Sequence, residues 1–189
     1  MNKIDRIKFQ NEFKIAKQIR HEQQIQFKIR YDNFCEQLDF AITDGNLEEL
    51  KKLCDNDIDN ILEYESYDFF ELACTYDKLE IAQWLQSKYD YEDLTDAFES
   101  SIVANNINIV EWMLSLHSEK IDIRNSNDYA FKTACDNDRI QIFFYGSRTK
   151  IAQLLTTICK DYYVEIENNE IISYKIKKDD VLNTYIIKK

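Results

Sequence analysis

The five cysteines and two histidines are the residues of this chain best suited to hold a metal or attack a substrate, and their spacing supports neither. Cys35, Cys54, Cys74, Cys135 and Cys159 lie far apart, with no C-x-x-C pair and no grouping with His21 or His117, so no tetrahedral zinc set is written here. An odd number of scattered cysteines points to a reducing, intracellular and cytoplasmic setting. Cys74 and Cys135 follow a small residue at the same place in two similar segments, which reads as packing rather than nucleophilic chemistry. Asp55, Asp57 and Asp59 alternate like the opening of a calcium loop, where carboxylates converge on a hard cation. The glycine such a loop needs is Asn60, however, and its bidentate glutamate is Ser66, leaving an acidic linker. With two glycines in the chain, no phosphate-cradling loop or nucleophile elbow can be built, and no H-E-x-x-H occurs. The expectation is a chain that is not an enzyme, with no catalytic residue, no metal and no cofactor.

Binding is then the chemistry left to consider, and charge directs it. The 189 residues carry 44% hydrophobic and 31% charged residues, enough for one folded domain with appendages. Residues 1–35 hold eight Lys/Arg against four Asp/Glu (+4), 36–135 hold seven against twenty-three (−16), and 136–189 hold nine against eight (+1). So acidic a middle repels a phosphate backbone, which excludes nucleic acid as its partner and favours a basic protein surface. No apolar run is long enough for a membrane span, and the charges in MNKIDRIKFQNEF interrupt any secretory core. The expected state is monomeric.

The acidic middle contains a repeat. Leu38, Phe70, Phe98 and Phe131 anchor four segments spaced 32, 28 and 33 residues apart. Three residues after each anchor stands a small residue: Ala41, Ala73, Ser101 and Ala134. Nine residues after it stands Leu47, Leu79, Ile107 or Ile140, and the two middle segments continue as Ile81-Ala82…Trp84-Leu85 and Ile109-Val110…Trp112-Met113. Spacing by three and four predicts a pair of helices per segment, the small residue allowing close approach. One such pair cannot bury its own apolar face, so the pairs should stack. With no proline and two glycines, the turns must use Asn and Asp, which tolerate the left-handed conformation.

These segments resemble the ankyrin repeat: Phe70, Phe98 and Phe131 fall on the leucine of its first helix, and Ala73-Cys74 and Ala134-Cys135 on its A-A pair. Its inter-helix glycine survives as Gly45 and is replaced by Asp77, Asn105 and Asp138. In style the chain is similar to the divergent ankyrin-repeat proteins of giant DNA viruses. Departures are the missing T-P-L-H and the short spacing of 28, which put the β-turn finger between repeats in question. The last repeat is interrupted, its I-A-Q-L-L coming late at Ile151–Leu155, which reads as an insertion near 142–149.

The resulting fold class is mainly α: an ankyrin-like solenoid of about four helix pairs over 36–160, an N-terminal capping segment or basic arm over 1–35, and a C-terminal β-hairpin with a tail over 161–189. The hairpin follows from the alternation in YYVEIENNEIISYKI around Asn168-Asn169, the tail beyond it reading as a short helix or frayed end. Residues 1–35 read as helix followed by strand or helix, because Ile25, Phe27, Ile29 and Tyr31 alternate; a sharper reading folds the +4 arm back onto the acidic middle. The resemblance implies a scaffold or adaptor whose first helices and linkers face a partner, and Asp39, Glu71, Tyr91, Asp93 and Glu99 are the candidate contacts for a basic segment of another protein. In a virus that partner would be a host protein. The competing readings are a regulatory or catalytic module in the terminal segments that the repeats merely support, or a remnant that binds nothing; Trp84, Trp112 and the linkers 63–68 and 88–93 are further contact candidates.

Overall fold

In a computed structural model the chain is described over residues 3–56, 61–116, 118–136, 145–168 and 170–187. Helices α1 (Lys3–Asp44), α2 (Leu47–Asp55), α3 (Ile61–Thr75), α4 (Leu79–Tyr89), α5 (Thr95–Val103), α6 (Ile107–Leu116), α7 (Asn125–Cys135) and α8 (Tyr145–Ile158) precede strands β1 (Tyr162–Glu167), β2 (Glu170–Lys178) and β3 (Val181–Ile186). The protein is mainly helical with a small antiparallel sheet, ordered β1-β2-β3, at its C-terminal end. Each odd-numbered helix packs on the even-numbered helix that follows it, and α1, α3, α5 and α7 pack in succession.

The anchors explain why. Leu38, Phe70, Phe98 and Phe131 are each 0% exposed, and Ala41, Ala73, Ser101 and Ala134 are buried beside them. A buried phenylalanine contributes about 1.5–3 kcal/mol relative to an exposed one, so these positions hold the row of first helices together. Ser101 keeps its hydroxyl satisfied by donating to the Phe98 carbonyl at 2.7 Å. On the second helices, Ile81, Ala82 and Leu85, then Ile109, Val110 and Met113, then Ile151, Ala152 and Leu155 are buried, so the late I-A-Q-L-L does occupy the core-facing position. Ile140 and residues 142–144 lie outside the described residues; from Tyr145 onward the expected insertion is the first part of α8.

The three described turns inside helix pairs share one geometry. The N–H groups of Asn46, Lys78 and Asn106 donate to the carbonyls of Ala41, Ala73 and Ser101 at 2.8, 2.9 and 2.9 Å. The preceding residues Gly45, Asp77 and Asn105 have φ of 82°, 55° and 66° and donate to Ile42, Cys74 and Ile102. Such a left-handed residue closes the last turn by giving its orphan carbonyls partners. Asp138 lies outside the described residues. Between pairs no strand occurs among the described residues. The connections instead bond to one another: the Leu94 N–H donates to the Lys120 carbonyl at 2.9 Å and the Asp122 N–H to the Thr95 hydroxyl at 2.9 Å.

Each end keeps one expectation and overturns another, the helix alternative holding at the N-terminus and the hairpin at the C-terminus. α1 is one uninterrupted helix from Lys3 to Asp44, so residues 25–31 form no strand and the arm does not fold back on its own body. Its apolar residues lie on two opposite sides, Ile15, Ile25 and Ile29 on one and Phe13, Phe27 and Phe34 on the other, which is why no single stripe announces it. The C-terminal tail is neither helix nor frayed but the third strand, joined to β2 through Asp179-Asp180 with φ of 49° and 61°. Paired positive φ at both central residues is what a two-residue hairpin turn needs. β1 and β2 pair as expected, Tyr162 facing Ile176, with an irregularity between Glu165 and Ile166. Asn168 has φ of 53°, and Asn169 lies outside the described residues.

Candidate interaction surface

Asp39, Glu71 and Glu99 each follow a buried anchor by one residue, so they occupy equivalent places on the adjacent helices α1, α3 and α5. Asp39 is exposed, and Glu71 and Glu99 are half-buried. Glu71 accepts from the Ser100 hydroxyl at 2.5 Å, next to Glu99 on the following helix, which ties the row together. Glu99 in turn accepts from the Asn125 side-chain amide at 3.3 Å. Partial burial raises the Glu99 carboxyl above the usual carboxylate range, against the lowering by Asn125, and the nearby carboxylates Asp96 and Asp122 add to the rise. Burial raises Asp39 as well. Among the described residues neither Asp39, Glu71 nor Glu99 forms an ion pair. At the fourth equivalent place the sign reverses: Lys132 donates to the Asn127 carbonyl at 2.7 Å and lies over the Tyr185 ring at 5.9 Å.

Asp93 and Tyr91 sit in the α4–α5 connection rather than in the row. Asp93 is exposed and accepts from the Thr95 N–H at 2.9 Å, and that bond with the Thr95 hydroxyl holds its carboxyl below the usual range. It stands near the N-terminus of α5, close in sequence to Asp96 and Glu99, where a helix dipole favours negative charge. Tyr91 is engaged internally. Its hydroxyl donates to the Ser66 carbonyl at 2.8 Å, its ring lies 4.9 Å from Phe70, and its carbonyl accepts from Lys120 Nζ at 3.0 Å. Burial pushes its phenol upward. Trp84 is half-buried with Lys88 Nζ 5.0 Å above its ring, whereas Trp112 is 9% exposed and lies edge-on to Phe70.

A second polar site joins the last described helix pair to the sheet. Arg124 Nε donates to Asp128 Oδ1 at 3.0 Å, its NH1 to Asp161 Oδ2 at 2.7 Å, and its NH2 to the Lys177 carbonyl at 3.4 Å. The Asp128 side chain is 4% exposed, and the Tyr162 hydroxyl, also 3.0 Å from the Ile123 carbonyl, donates to it at 2.9 Å. Arg124 loses from its own desolvation but is raised on balance by Asp128 and its neighbours, while burial and the bond to Asp128 push the Tyr162 phenol upward. Ser126, Asn127 and Asp128 are three consecutive left-handed residues, with φ of 51°, 61° and 65°. A left-handed L-residue costs roughly 1–2 kcal/mol, less for Asn and Asp, so this turn needs the clamps around it. Those clamps line a cleft of ≈ 560 Å³ with Lys178, Asp179 and Asp180. Arg124 is paired with Asp128 and Asp161, Lys177 with Asp180, and Lys178 Nζ donates to Asn127 Oδ1 at 3.3 Å, which makes the cleft a lock between α7 and the sheet. Sequence reasoning missed the lock; the run R-N-S-N-D was its one visible signal.

The remaining candidates have plain places. Cys74 and Cys135 are fully buried, and burial pushes both thiols upward, away from reactivity. Asp55 ends α2 and Ser66 is buried in α3, while Asp57, Asp59, Asn60 and His117 lie outside the described residues. His21 is exposed on α1. Among the described residues no group of three His, Cys, Asp or Glu could hold a metal ion, and no helix is long and apolar enough to cross a membrane. No family model matches the chain, and no curated protein and no solved structure matches it.

Proposed function

We propose that the chain is a divergent ankyrin-type repeat protein and an intracellular binding scaffold, not an enzyme, whose acidic row takes up a basic segment of another protein. The observation that carries this reading is the placement of Asp39, Glu71 and Glu99 at one repeated position on three adjacent helices. Two of the three, the exposed Asp39 and the half-buried Glu99, are carboxylates raised by desolvation, and neither forms an ion pair among the described residues. Groups held at such a disadvantage are relieved by an incoming Lys or Arg, which is the expected signature of a site kept for a cationic partner. Asp93 and the neighbouring Asp96 and Asp122 extend the negative field along the connections, so a partner segment would lie across the first helices. The shared turn at Gly45, Asp77 and Asn105 supports the repeat assignment, and the strandless connections fit a variant with shortened fingers. In a viral setting the partner is a host protein.

The test is affinity capture followed by mass spectrometry, comparing the unaltered chain with a Glu71→Lys/Glu99→Lys variant of unchanged circular dichroism. Loss of the captured protein, with recovery by a peptide from its basic region, is the expected result. Equal capture by both proteins removes the acidic row from the account.

A further inference from the structure

Between residues 12 and 33 α1 has no buried side chain, and Phe13 and Phe27 are 67% and 46% exposed. Helical periodicity puts both on the side of α1 that, further along, carries Phe34, Leu38, Ala41 and Ile42 into the core. The core-facing side therefore continues past the body through Tyr31 and Phe27 and returns at Phe13, with Arg20, Gln23 and Gln24 interrupting it between the two phenylalanines. Phe13 and Phe27 stand seven residues to either side of Arg20, a symmetry that a second copy of the same helix can use.

We propose that a second copy of this chain covers the stripe: two α1 arms pair antiparallel about a twofold axis at Arg20, Phe13 of each lying level with Phe27 of the other. Three observations select this occupant and this direction. At Phe27 and Tyr31 the stripe adjoins the packed face of α1 that begins at Phe34, so pairing there extends an existing apolar seam rather than creating a separate patch. Charge then sets the direction. The segment 36–135 carries −16, and a parallel pair would bring two such bodies side by side, whereas an antiparallel pair holds them apart along an arm whose residues 3–33 span about 45 Å. Glu12 and Arg30 fall on the same flank of α1 and come within one turn of each other across the pair, twice by symmetry. The two Arg20 side chains meet at the axis; their repulsion costs stability, and a polar residue at such a position fixes register.

Sedimentation equilibrium on the full chain over a concentration series reads the association. The unaltered chain should be a dimer that weakens as salt rises, and Phe13→Glu/Phe27→Glu should dissociate at least about tenfold more easily while keeping its helix content. Arg20→Leu should tighten the dimer by about tenfold, an effect no damage to folding can imitate. For direction, Phe13→Cys and Phe27→Cys proteins mixed under oxidation should link 13 to 27, and neither alone should link to itself through the new cysteine. A monomer at every concentration, a dimer indifferent to the Phe13/Phe27 changes, no gain from Arg20→Leu, or 13-to-13 links would each overturn the proposal.

Discussion

Arg124 joins three segments at once, bonding Asp128 within α7, Asp161 before β1, and the β2 backbone at Lys177. Its worth lies mostly in what its removal exposes, since Asp128, with a side chain 4% exposed, would be left among the described residues with the Tyr162 hydroxyl and its own turn. Arg124→Ala should therefore cost roughly 2–3 kcal/mol in urea unfolding, more than a surface ion pair is worth. A cost under about 0.5 kcal/mol would mean that the lock carries no load. Glu99 makes the opposite case. Its folded pKa is raised by partial burial, so its carboxyl adds stability that is full below the unfolded value of about 4.3 and is lost as pH rises through the folded value. Glu99→Gln should then raise the unfolding midpoint slightly at about pH 7 and leave it unchanged at about pH 3. A midpoint lowered near neutrality would show that the carboxylate is content where it is, and would weaken the case for a cationic partner.

The helix pairs were legible in the sequence because two independent signals coincide in them. The anchor-plus-three spacing marks the buried face, and Gly45, Asp77 and Asn105 mark where each first helix must stop, at φ of 82°, 55° and 66°. Gly45→Ala should cost about 1 kcal/mol, because the added methyl meets only the Lys78 side chain at 3.4 Å and the expense is the left-handed backbone. Gly45→Asn should recover most of that, since Asn105 already serves in the equivalent turn; equal losses for the two variants in thermal unfolding would contradict this account of the turn. Legibility failed where burial does not follow sequence. β3 is exposed at every position from Val181 to Ile186, so no alternation of polarity announced it, and only the Asp179-Asp180 turn and the β2 register place it. Along α1, residues 25–31 alternate by chance of having apolar residues on both sides of a solvated helix. The row Asp39, Glu71 and Glu99 could be numbered from the anchors, but the bonds that hold Tyr91 inward and the Arg124 lock depend on contacts between residues 25 to 53 apart in the chain.

At the scale of the whole molecule, charge is segregated along the fold. The basic arm leads away along α1, the acidic helix pairs follow, and the nearly neutral C-terminal sheet closes the far end. Such separation gives long-range attraction for a cationic partner and makes association sensitive to salt. Protonation should blunt it on the acid side: Asp39 and Glu99, both raised, lose charge at a higher pH than ordinary carboxylates, while Asp93, held low by Thr95, keeps its charge longest. The most direct measurement of the central claim is calorimetric titration of the captured basic segment into the unaltered chain and into Glu71→Lys/Glu99→Lys, at low and high salt. The account predicts an affinity at least about tenfold weaker for the variant, with a much smaller dependence on salt. Identical affinities and salt slopes for the two proteins would contradict it.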